Sequence, residues 1–305
     1  MQDPNPTVIY ASEAEVAVGT LTQNNLEVAI RALHHDGIII VENACRHESL
    51  DKLNGRMVED ASKLEALGDK RLFNFIKGNM QQNPPPGKEY FLEDVFLNPF
   101  VSQIVSTHLG PRPRYAYVSS NVALPVSDDV PMQSQPIHSD IFFKHPAHPF
   151  SLVVSIPLVT MSAENGSSEF WLGTHEGFDC TQQIVGTAIE SSEGGIGTKR
   201  LEERRKVRGC CQPTVNKGGL IIRDLRLWHG GKPNMSKEPR VLLALIYFAP
   251  WYRNKMIMPA VESIRPLLEA HTELEIPVEY ISDEEASEKY LERAYGREYM
   301  FDQVP

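Results

Sequence analysis

Cysteine is scarce in this 305-residue sequence, which contains four, and no two of them form a CxxC pair. The spacing gives neither a cysteine-based zinc motif nor a disulfide framework. The sequence also lacks an apolar run of the roughly 18 residues that a membrane-spanning helix needs. Its polar beginning has neither the basic nor the apolar region of a signal peptide. We therefore expect free thiols, no membrane partner and a cytoplasmic location.

Positive charge is in short supply as well, because 30 lysines and arginines stand against 40 aspartates and glutamates, for a formal net charge of -10. This balance argues against nucleic acid as a main partner. With 41% hydrophobic and 23% charged residues, the composition is that of a globular protein with one large core or two modest ones. The sequence does not determine the oligomeric state, so a homodimer is possible.

The order of the predicted elements indicates a mainly β protein with flanking helices. Helical periodicity covers residues 25–35, 48–67 and 100–108, whereas short β-rich runs separated by turns follow from residue 114 onward. These runs are residues 115–122, 151–157, 169–172, 219–224 and 241–248. Strands and helices do not alternate there, which disfavours a doubly wound α/β fold. We expect a double-stranded β-helix core of the jelly-roll, cupin-like kind.

We expect one domain, residues 1–305, in three parts. A helical N-terminal buttress would span residues 1–113, the β-helix core residues 114–250, and a helical tail residues 251–305. An insertion in the core, at about residues 176–213, is long enough for a lid or a binding loop. Its basic cluster is typical of a solvated helix face, although it also leaves open an anionic substrate such as an acyl-CoA. The cluster consists of Lys199, Arg200, Arg204, Arg205, Lys206 and Arg208.

The most informative motif is the pair His138 and Asp140, separated by one residue. The triplet alone is a weak signal, since residues 34–36 repeat it where a helix end before a buried strand accounts for it. On extended backbone, His138 and Asp140 would point to the same face. His229 precedes a turn that leads to Arg240, and a hairpin there would bring these two close together. Two imidazoles and one carboxylate leave metal positions open, as in non-haem Fe(II) oxygenases.

Arg240 suggests the cosubstrate of such a metal. Fe(II) activates oxygen only when electrons are supplied, and the usual source is an oxo acid that chelates two of the open positions. The far carboxylate of that acid needs a cation. The guanidinium of Arg240 is a bidentate fork that is always charged, so it suits this role, although a structural salt bridge is the alternative reading.

Four motifs in this order resemble the phytanoyl-CoA dioxygenase family. They are Gln135-x-x-His138-x-Asp140, Glu164-Asn165-Gly166-Ser167-Ser168-Glu169, Gly173-Thr174-His175, and Trp228-His229 followed by Arg240. The resemblance covers about residues 115–248. Residues 223–231 also resemble family members that tailor fungal secondary metabolites.

The resemblance implies Fe(II), 2-oxoglutarate and O2 as cofactor and cosubstrates. It implies that His138, Asp140 and His229 bind iron, and that Arg240 binds the distal carboxylate of 2-oxoglutarate. Further contacts with 2-oxoglutarate are implied for Gln135, Ser168 and Asn74. For His175 it implies a structural role away from the iron.

Candidate substrate contacts come from segments around the expected cavity mouth. If residues 71–77 are extended and Asn74 faces the site, then Leu72 and Ile76 face it too, while Phe73 and Phe75 turn away. Phe143 resembles a substrate-facing position in relatives. Phe142 and Phe143 cannot both point inward on an extended segment. These residues suggest an apolar substrate, although core packing is the alternative for each of them.

The expected function is that of an Fe(II)/2-oxoglutarate-dependent dioxygenase. Its small, apolar organic substrate would be hydroxylated, desaturated, epoxidised or rearranged in a secondary-metabolite pathway, with decarboxylation of 2-oxoglutarate to succinate. Three alternatives remain: a non-catalytic cupin-like metal-binding protein, an acyl-CoA hydroxylase of the same family, and a Zn(II) hydrolase with the same ligands. The zinc reading leaves Arg240 and Gln135 without a purpose.

Overall fold

The computed structural model describes residues 3–68, 72–184, 195–291 and 300–303. Its strands are β1 (Val8–Tyr10), β2 (Ile38–Glu42), β3 (Asn79–Gln82), β4 (Arg114–Ala123), β5 (Ser151–Pro157), β6 (Ser168–Trp171), β7 (Gln183–Ile184), β8 (Gly195–Ile196), β9 (Leu220–Asp224), β10 (Trp228–Gly231), β11 (Arg240–Phe248), β12 (Met258–Val261) and β13 (Val278–Ile281). Its helices are α1 (Glu13–Val18), α2 (Gln23–Asp36), α3 (His47–Glu65), α4 (Glu93–Phe96), α5 (Pro99–Leu109), α6 (Thr198–Val207), α7 (Arg265–Ala270) and α8 (Asp283–Lys289).

Two facing sheets form the core. The main sheet has the strand order β1-β2-β9-β5-β11-β4-β3, with β1 parallel to β2 and the other neighbours antiparallel. The small sheet pairs β10 with β6, and single bridges extend it from His229 to His138 and from Phe170 to Cys211. Apolar side chains from both sheets, including Ile221 and Phe170, pack together between them. The expected double-stranded β-helix core, with helices flanking it, is confirmed.

The side chains of β11 show how the main sheet divides its two faces. Successive side chains of a strand point to opposite faces, so alternate residues share a face. Arg240, Leu242, Ala244 and Ile246 line a cavity between the sheets. Val241, Leu243, Leu245 and Tyr247 are buried in the main core. Because α3 contacts β11 and α5 contacts β5, the helices cover the outer face of this sheet and leave the inner face to the cavity.

The two ends of helix α2 determine where strand β2 of the main sheet begins. The Thr22 side chain accepts a hydrogen bond from the backbone of Asn25 at the start of the helix, and Gly37 ends it at a φ of 73°. A Cβ at Gly37 would lie 2.5 Å from Nδ1 of His175. Glycine is therefore required both for the left-handed turn and for the close approach of His175, and β2 begins at the next residue.

Some expectations about secondary structure at the two ends of the chain are wrong. The N-terminal part is not only helical, because β1 and β3 are strands of the main sheet, and so is β2, the buried strand expected after the helix end at Gly37. The tail contains a parallel pair, β12 with β13, besides its helices. The strands that were not expected, β1, β3, β12 and β13, have three or four residues, which is too short for periodicity to distinguish them from other structure. The division at residues 113 and 250 stays a prediction.

The insertion at residues 176–213 contains β7, β8 and α6, while residues 185–194 lie outside the described residues. Its role as a lid also stays a prediction. Within the described ranges, no helix is both long and apolar enough to cross a membrane. The four cysteines are free.

The N-cap of α5 generates a stability prediction. The buried Asn98 side chain accepts hydrogen bonds from the backbone N–H groups of Phe100 and Val101, and it donates to the carbonyls of Ala44 and Asp94. Asn98→Ala should lower the free energy of unfolding by about 3 kcal/mol, because it removes a cap and leaves buried carbonyls without a donor. Asn98→Ser keeps the cap acceptor, so we expect roughly half that loss. Urea unfolding measures the free energy of unfolding of both variants. Equal losses in the two variants would contradict separate contributions from the cap acceptor and from the amide donor.

Candidate metal centre and cosubstrate site

Backbone pairing brings two of the candidate ligands together. The N–H of His138 donates to the carbonyl of His229, and the N–H of His229 donates to the carbonyl of His138, each at 2.9 Å. The N–H of Gln135 also donates to the carbonyl of Gly231 at 2.9 Å. The segment around residues 135–138 thus runs beside β10, and the two imidazole rings lie with their centroids 4.4 Å apart.

Both imidazoles have the form that binds a metal. Nδ1 of His138 lies 2.8 Å from the carbonyl oxygen of Pro136, and Nδ1 of His229 lies 3.0 Å from that of Leu227. A carbonyl only accepts, so each Nδ1 carries the proton and each Nε2 keeps a free lone pair. Burial lowers the pKa of His138 and lowers that of His229 well below its ordinary value. The rings are therefore neutral at pH 7, as metal binding requires.

Asp140 completes a three-ligand group. Its Oδ1 lies 3.9 Å from Nε2 of His138 and 3.7 Å from Nε2 of His229, and the ligand atoms all lie within 4.8 Å of one another. Burial acts to raise the pKa of Asp140, but the charge and hydrogen bond of Arg223, together with the two neighbouring imidazoles, outweigh burial and bring the pKa down to about 2. The group offers two neutral nitrogens and one carboxylate, which suits an Fe(II) site with open positions.

Arg240 is a buried cation near this group. Its Nη2 donates to the carbonyl of Gly166 at 2.6 Å and its Nε to that of Asn165 at 3.3 Å. Nη1 is buried without a hydrogen-bond partner, and no carboxylate of the described ranges pairs with the guanidinium. Burial lowers its pKa to about 10, so it stays charged at neutral pH. A buried charge is costly unless it is paired, and Arg240 therefore fits an anionic group entering from the cavity.

The expected hairpin between His229 and Arg240 is wrong. Strand β10 pairs with β6 in the small sheet, whereas β11 pairs with β4 and β5 in the main sheet. Residues 232–239 cross from one sheet to the other instead of forming a tight turn between paired strands. His229 and Arg240 nevertheless line the same cavity, of about 410 Å³, from facing sides. The architecture, and not a local turn, brings them to one site.

The three other residues implied for 2-oxoglutarate, Gln135, Ser168 and Asn74, line this cavity. The amide of Gln135 is engaged at both ends, because Oε1 accepts from the backbone of Gly231 at 2.7 Å and Nε2 donates to the carbonyl of Asn74 at 2.9 Å. Gln135 therefore holds the Asn74 segment against β10. Direct contact of these three residues with the cosubstrate stays a prediction.

The expected arrangement of Leu72 and Ile76 is wrong, because residues 74–78 form a turn and are not extended. The N–H of Asn79 donates to the carbonyl of Ile76 at 3.0 Å, and Phe75 has a φ of 66°. The turn brings Phe75 into the cavity wall, where its ring lies 4.4 Å from that of His138. Neither Leu72 nor Ile76 is among the residues that line the cavity.

Phe142 and Phe143 both line the cavity. The restriction to one of them assumed an extended strand, but residues 141–148 are irregular, so alternation does not apply there. His175 lies outside the cavity lining, with Nε2 3.2 Å from the carbonyl oxygen of His34. Contact of Phe142 or Phe143 with a substrate stays a prediction.

Several site residues were not found from the sequence, and Arg223, Phe301 and Gln183 are three of them. Arg223 donates to Asp140 at 2.7 Å, and Phe301 lines the cavity from the last described segment. Gln183, in the insertion, accepts from the N–H of Ser139 at 2.6 Å and donates to its carbonyl at 3.0 Å. Only Arg223 left a signal, since an arginine within a buried apolar strand is rarely without a partner. The other two reach the site through contacts distant in sequence.

Facing sheets that surround a two-histidine, one-carboxylate group and a buried arginine define a non-haem Fe(II)/2-oxoglutarate-dependent oxygenase. The chain belongs to the phytanoyl-CoA dioxygenase (PhyH) family, whose profile matches residues 33–242, more than half of its length.

Solved structures share this fold. The epimerase SnoN, in complex with Fe3+, alpha ketoglutarate and nogalamycin RO, is 15% identical with a TM-score of 0.56, covering 74% of this chain and 84% of SnoN. EctD from S. alaskensis, with 2-oxoglutarate and 5-hydroxyectoine, is 17% identical with a TM-score of 0.56, covering 92% and 93%. AviO1 from Streptomyces viridochromogenes Tue57 is 16% identical with a TM-score of 0.53, covering 76% and 98%.

Gly166 generates a prediction about cosubstrate binding. It has a φ of 76°, and a Cβ there would lie 2.6 Å from the backbone oxygen of Lys232. Because its carbonyl holds Nη2 of Arg240, Gly166→Ala should displace the guanidinium and weaken 2-oxoglutarate binding about tenfold, as expected for one disturbed charge-assisted contact. The control is Gly177→Ala, which has a φ of 64° and open space around the new Cβ. Titration of the anaerobic Fe(II) protein with 2-oxoglutarate distinguishes them, and equal affinities would refute this role of Gly166.

Proposed function

We propose that the protein oxidises a small, largely apolar organic molecule at an iron held by His138, Asp140 and His229, with 2-oxoglutarate bound through Arg240. The observation that carries this proposal is the buried, unpaired guanidinium of Arg240 on the same cavity as the three ligand atoms. A zinc hydrolase would use the three ligands but would leave that cation without a counter-ion. When bound, iron and 2-oxoglutarate together supply an oxidant from O2 as 2-oxoglutarate is decarboxylated to succinate.

The roles of the protein residues follow from their contacts. Arg240 offers Nη1 to the distal carboxylate, while the carbonyls of Gly166 and Asn165 hold its other nitrogens. The ring of Phe75 lies against His138 and restricts the access of water to that side of the metal. Ser168 and Asn74 offer further polar groups to the cosubstrate from the cavity wall.

The lining of the cavity supports an apolar substrate. Its aromatic and aliphatic part includes Phe75, Phe142, Phe143, Val153, Ile246 and Phe301. Ser119, Asn121 and Ser155 add a few polar groups, the combination by which binding sites orient small molecules. We infer a ligand that is mostly hydrocarbon with few hydrogen-bonding groups. Hydroxylation, desaturation, epoxidation and rearrangement are all compatible with such a site, and a secondary-metabolite pathway is the setting we propose.

The acyl-CoA alternative has less support, because three arginines of the basic cluster are already used within the protein. Arg204 donates to the carbonyl of Leu172, and Arg208 pairs with Asp36. The guanidinium of Arg205 lies 5.0 Å from the ring centre of Trp171.

The proposed iron and cosubstrate binding predict an optical signal. Anaerobic addition of Fe(II) and 2-oxoglutarate should give a weak visible charge-transfer band, because the oxo acid chelates the metal. His138→Ala should abolish the band by removing a ligand. His148→Ala is the matched control, since His148 is an exposed loop histidine whose ring lies near that of Trp251. A band that survives His138→Ala would sink the assignment.

Turnover distinguishes the oxygenase from a non-catalytic metal-binding protein. Candidate apolar metabolites are incubated with Fe(II), 2-oxoglutarate and O2, and succinate is measured together with the mass of the organic product. Substrate-dependent succinate formation supports the enzyme. Metal and 2-oxoglutarate binding without stimulated succinate across the panel would favour the binding protein.

A further inference from the structure

Arg223 reaches the metal site from the opposite sheet. It lies in β9 between Ile38 of β2 and Val153 of β5 in the sheet register, so its backbone is fixed in the interior of the main sheet. Its side chain is buried and lines the cavity. Nη2 of Arg223 lies 2.7 Å from Oδ2 of Asp140, which belongs to the segment on the facing side. The contact joins the two sides of the cavity.

Because of this contact, the two oxygens of the Asp140 carboxylate have different surroundings. Oδ2 is held by Arg223, whereas Oδ1 is the oxygen 3.9 Å and 3.7 Å from the Nε2 atoms of His138 and His229. Among the described residues, Asp140 is the one hydrogen-bond partner of the Arg223 side chain, and Nη1 is buried without any. A buried arginine of this kind is not explained by another structural contact.

We propose that Arg223 is a positioning residue that keeps Asp140 a one-oxygen ligand of the metal. The inference rests on the proposed function for the identity of the three ligands. A six-coordinate metal with three protein ligands keeps three positions, of which 2-oxoglutarate takes two and O2 the third. A carboxylate that bound through both oxygens would occupy one of these three. Arg223 prevents this because its hydrogen bond and charge hold Oδ2 away from the metal.

The same contact sets the metal affinity. Arg223 offsets part of the carboxylate charge and repels a divalent cation at the site. Arg223 therefore lowers the metal affinity of the site while it keeps a coordination position open. Removing Arg223 should tighten metal binding, whereas damage to the site would weaken it.

The test uses anaerobic titration with Co(II), whose visible absorption reports the number of ligands. In Arg223→Met, Co(II) should bind about tenfold more tightly, with a changed visible spectrum. 2-Oxoglutarate should then bind the Co(II) protein about tenfold more weakly, because it must displace the second carboxylate oxygen. Arg223→Lys keeps the charge and a donor, so it should restore both affinities to near those of the wild type.

The matched control is Arg208→Met, which removes another buried arginine paired with an aspartate, Asp36, outside the cavity. It should leave both affinities unchanged. If Arg223→Met does not fold, Arg223→Gln takes its place with the same predicted direction of the Co(II) affinity.

Co(II) affinity in Arg223→Met that equals or falls below that of Arg208→Met would overturn the proposal. So would an unchanged 2-oxoglutarate affinity. Failure of the proposed function is distinguishable, because the wild-type Co(II) protein would then show no spectral response to 2-oxoglutarate at all, whatever Arg223→Met does to Co(II) binding.

Discussion

The mutual hydrogen bonding between the backbones of His138 and His229 is the constraint on which the site depends. It fixes two residues that are far apart in sequence side by side on the small sheet. The carbonyls two residues earlier in each chain segment, those of Pro136 and Leu227, then set the tautomer of each ring. These backbone contacts thus orient the Nε2 atoms of both rings toward the carboxylate of Asp140.

The two sheets contribute different chemistry to this point. The segments of the small sheet carry the proposed metal ligands, whereas the main sheet supplies two buried cations, Arg223 and Arg240, from its inner face. Arg223 faces a carboxylate of the protein, and Arg240 faces none among the described residues. The charge of Arg223 is therefore balanced by Asp140, whereas the charge of Arg240 has no carboxylate partner among the described residues. This unbalanced charge is the electrostatic basis for expecting an anionic cosubstrate.

Much of the fold could be predicted because its strands are strongly apolar. Strand β5 was expected at residues 151–157 and has those bounds, since all of its residues are buried. The pairing of His138 with Asp140 followed from local spacing, whereas His229 was assigned from its place before the turn to Arg240 and from the resemblance to the phytanoyl-CoA dioxygenase family. The turn at residues 74–78 and the crossing of residues 232–239 between sheets were missed, because both depend on tertiary contacts. The same holds for Gln183, which bonds the backbone of Ser139 from the insertion, and for Phe301, which lines the cavity from a segment distant in sequence. Neither segment gives a local pattern.

The most direct test of the account is the affinity of the Mn(II)-loaded, oxygen-free protein for 2-oxoglutarate, measured by calorimetry in wild type and Arg240→Met. Loss of the buried positive charge of Arg240, and of the charge-assisted hydrogen bond that Nη1 would donate, should weaken binding about 100-fold. Succinate has the distal carboxylate but cannot chelate through an oxo group. Its affinity should also be lower in Arg240→Met than in wild type, by a similar factor. Equal affinities of the two proteins for 2-oxoglutarate would contradict the assignment of Arg240, and with it the cosubstrate on which the proposed function rests.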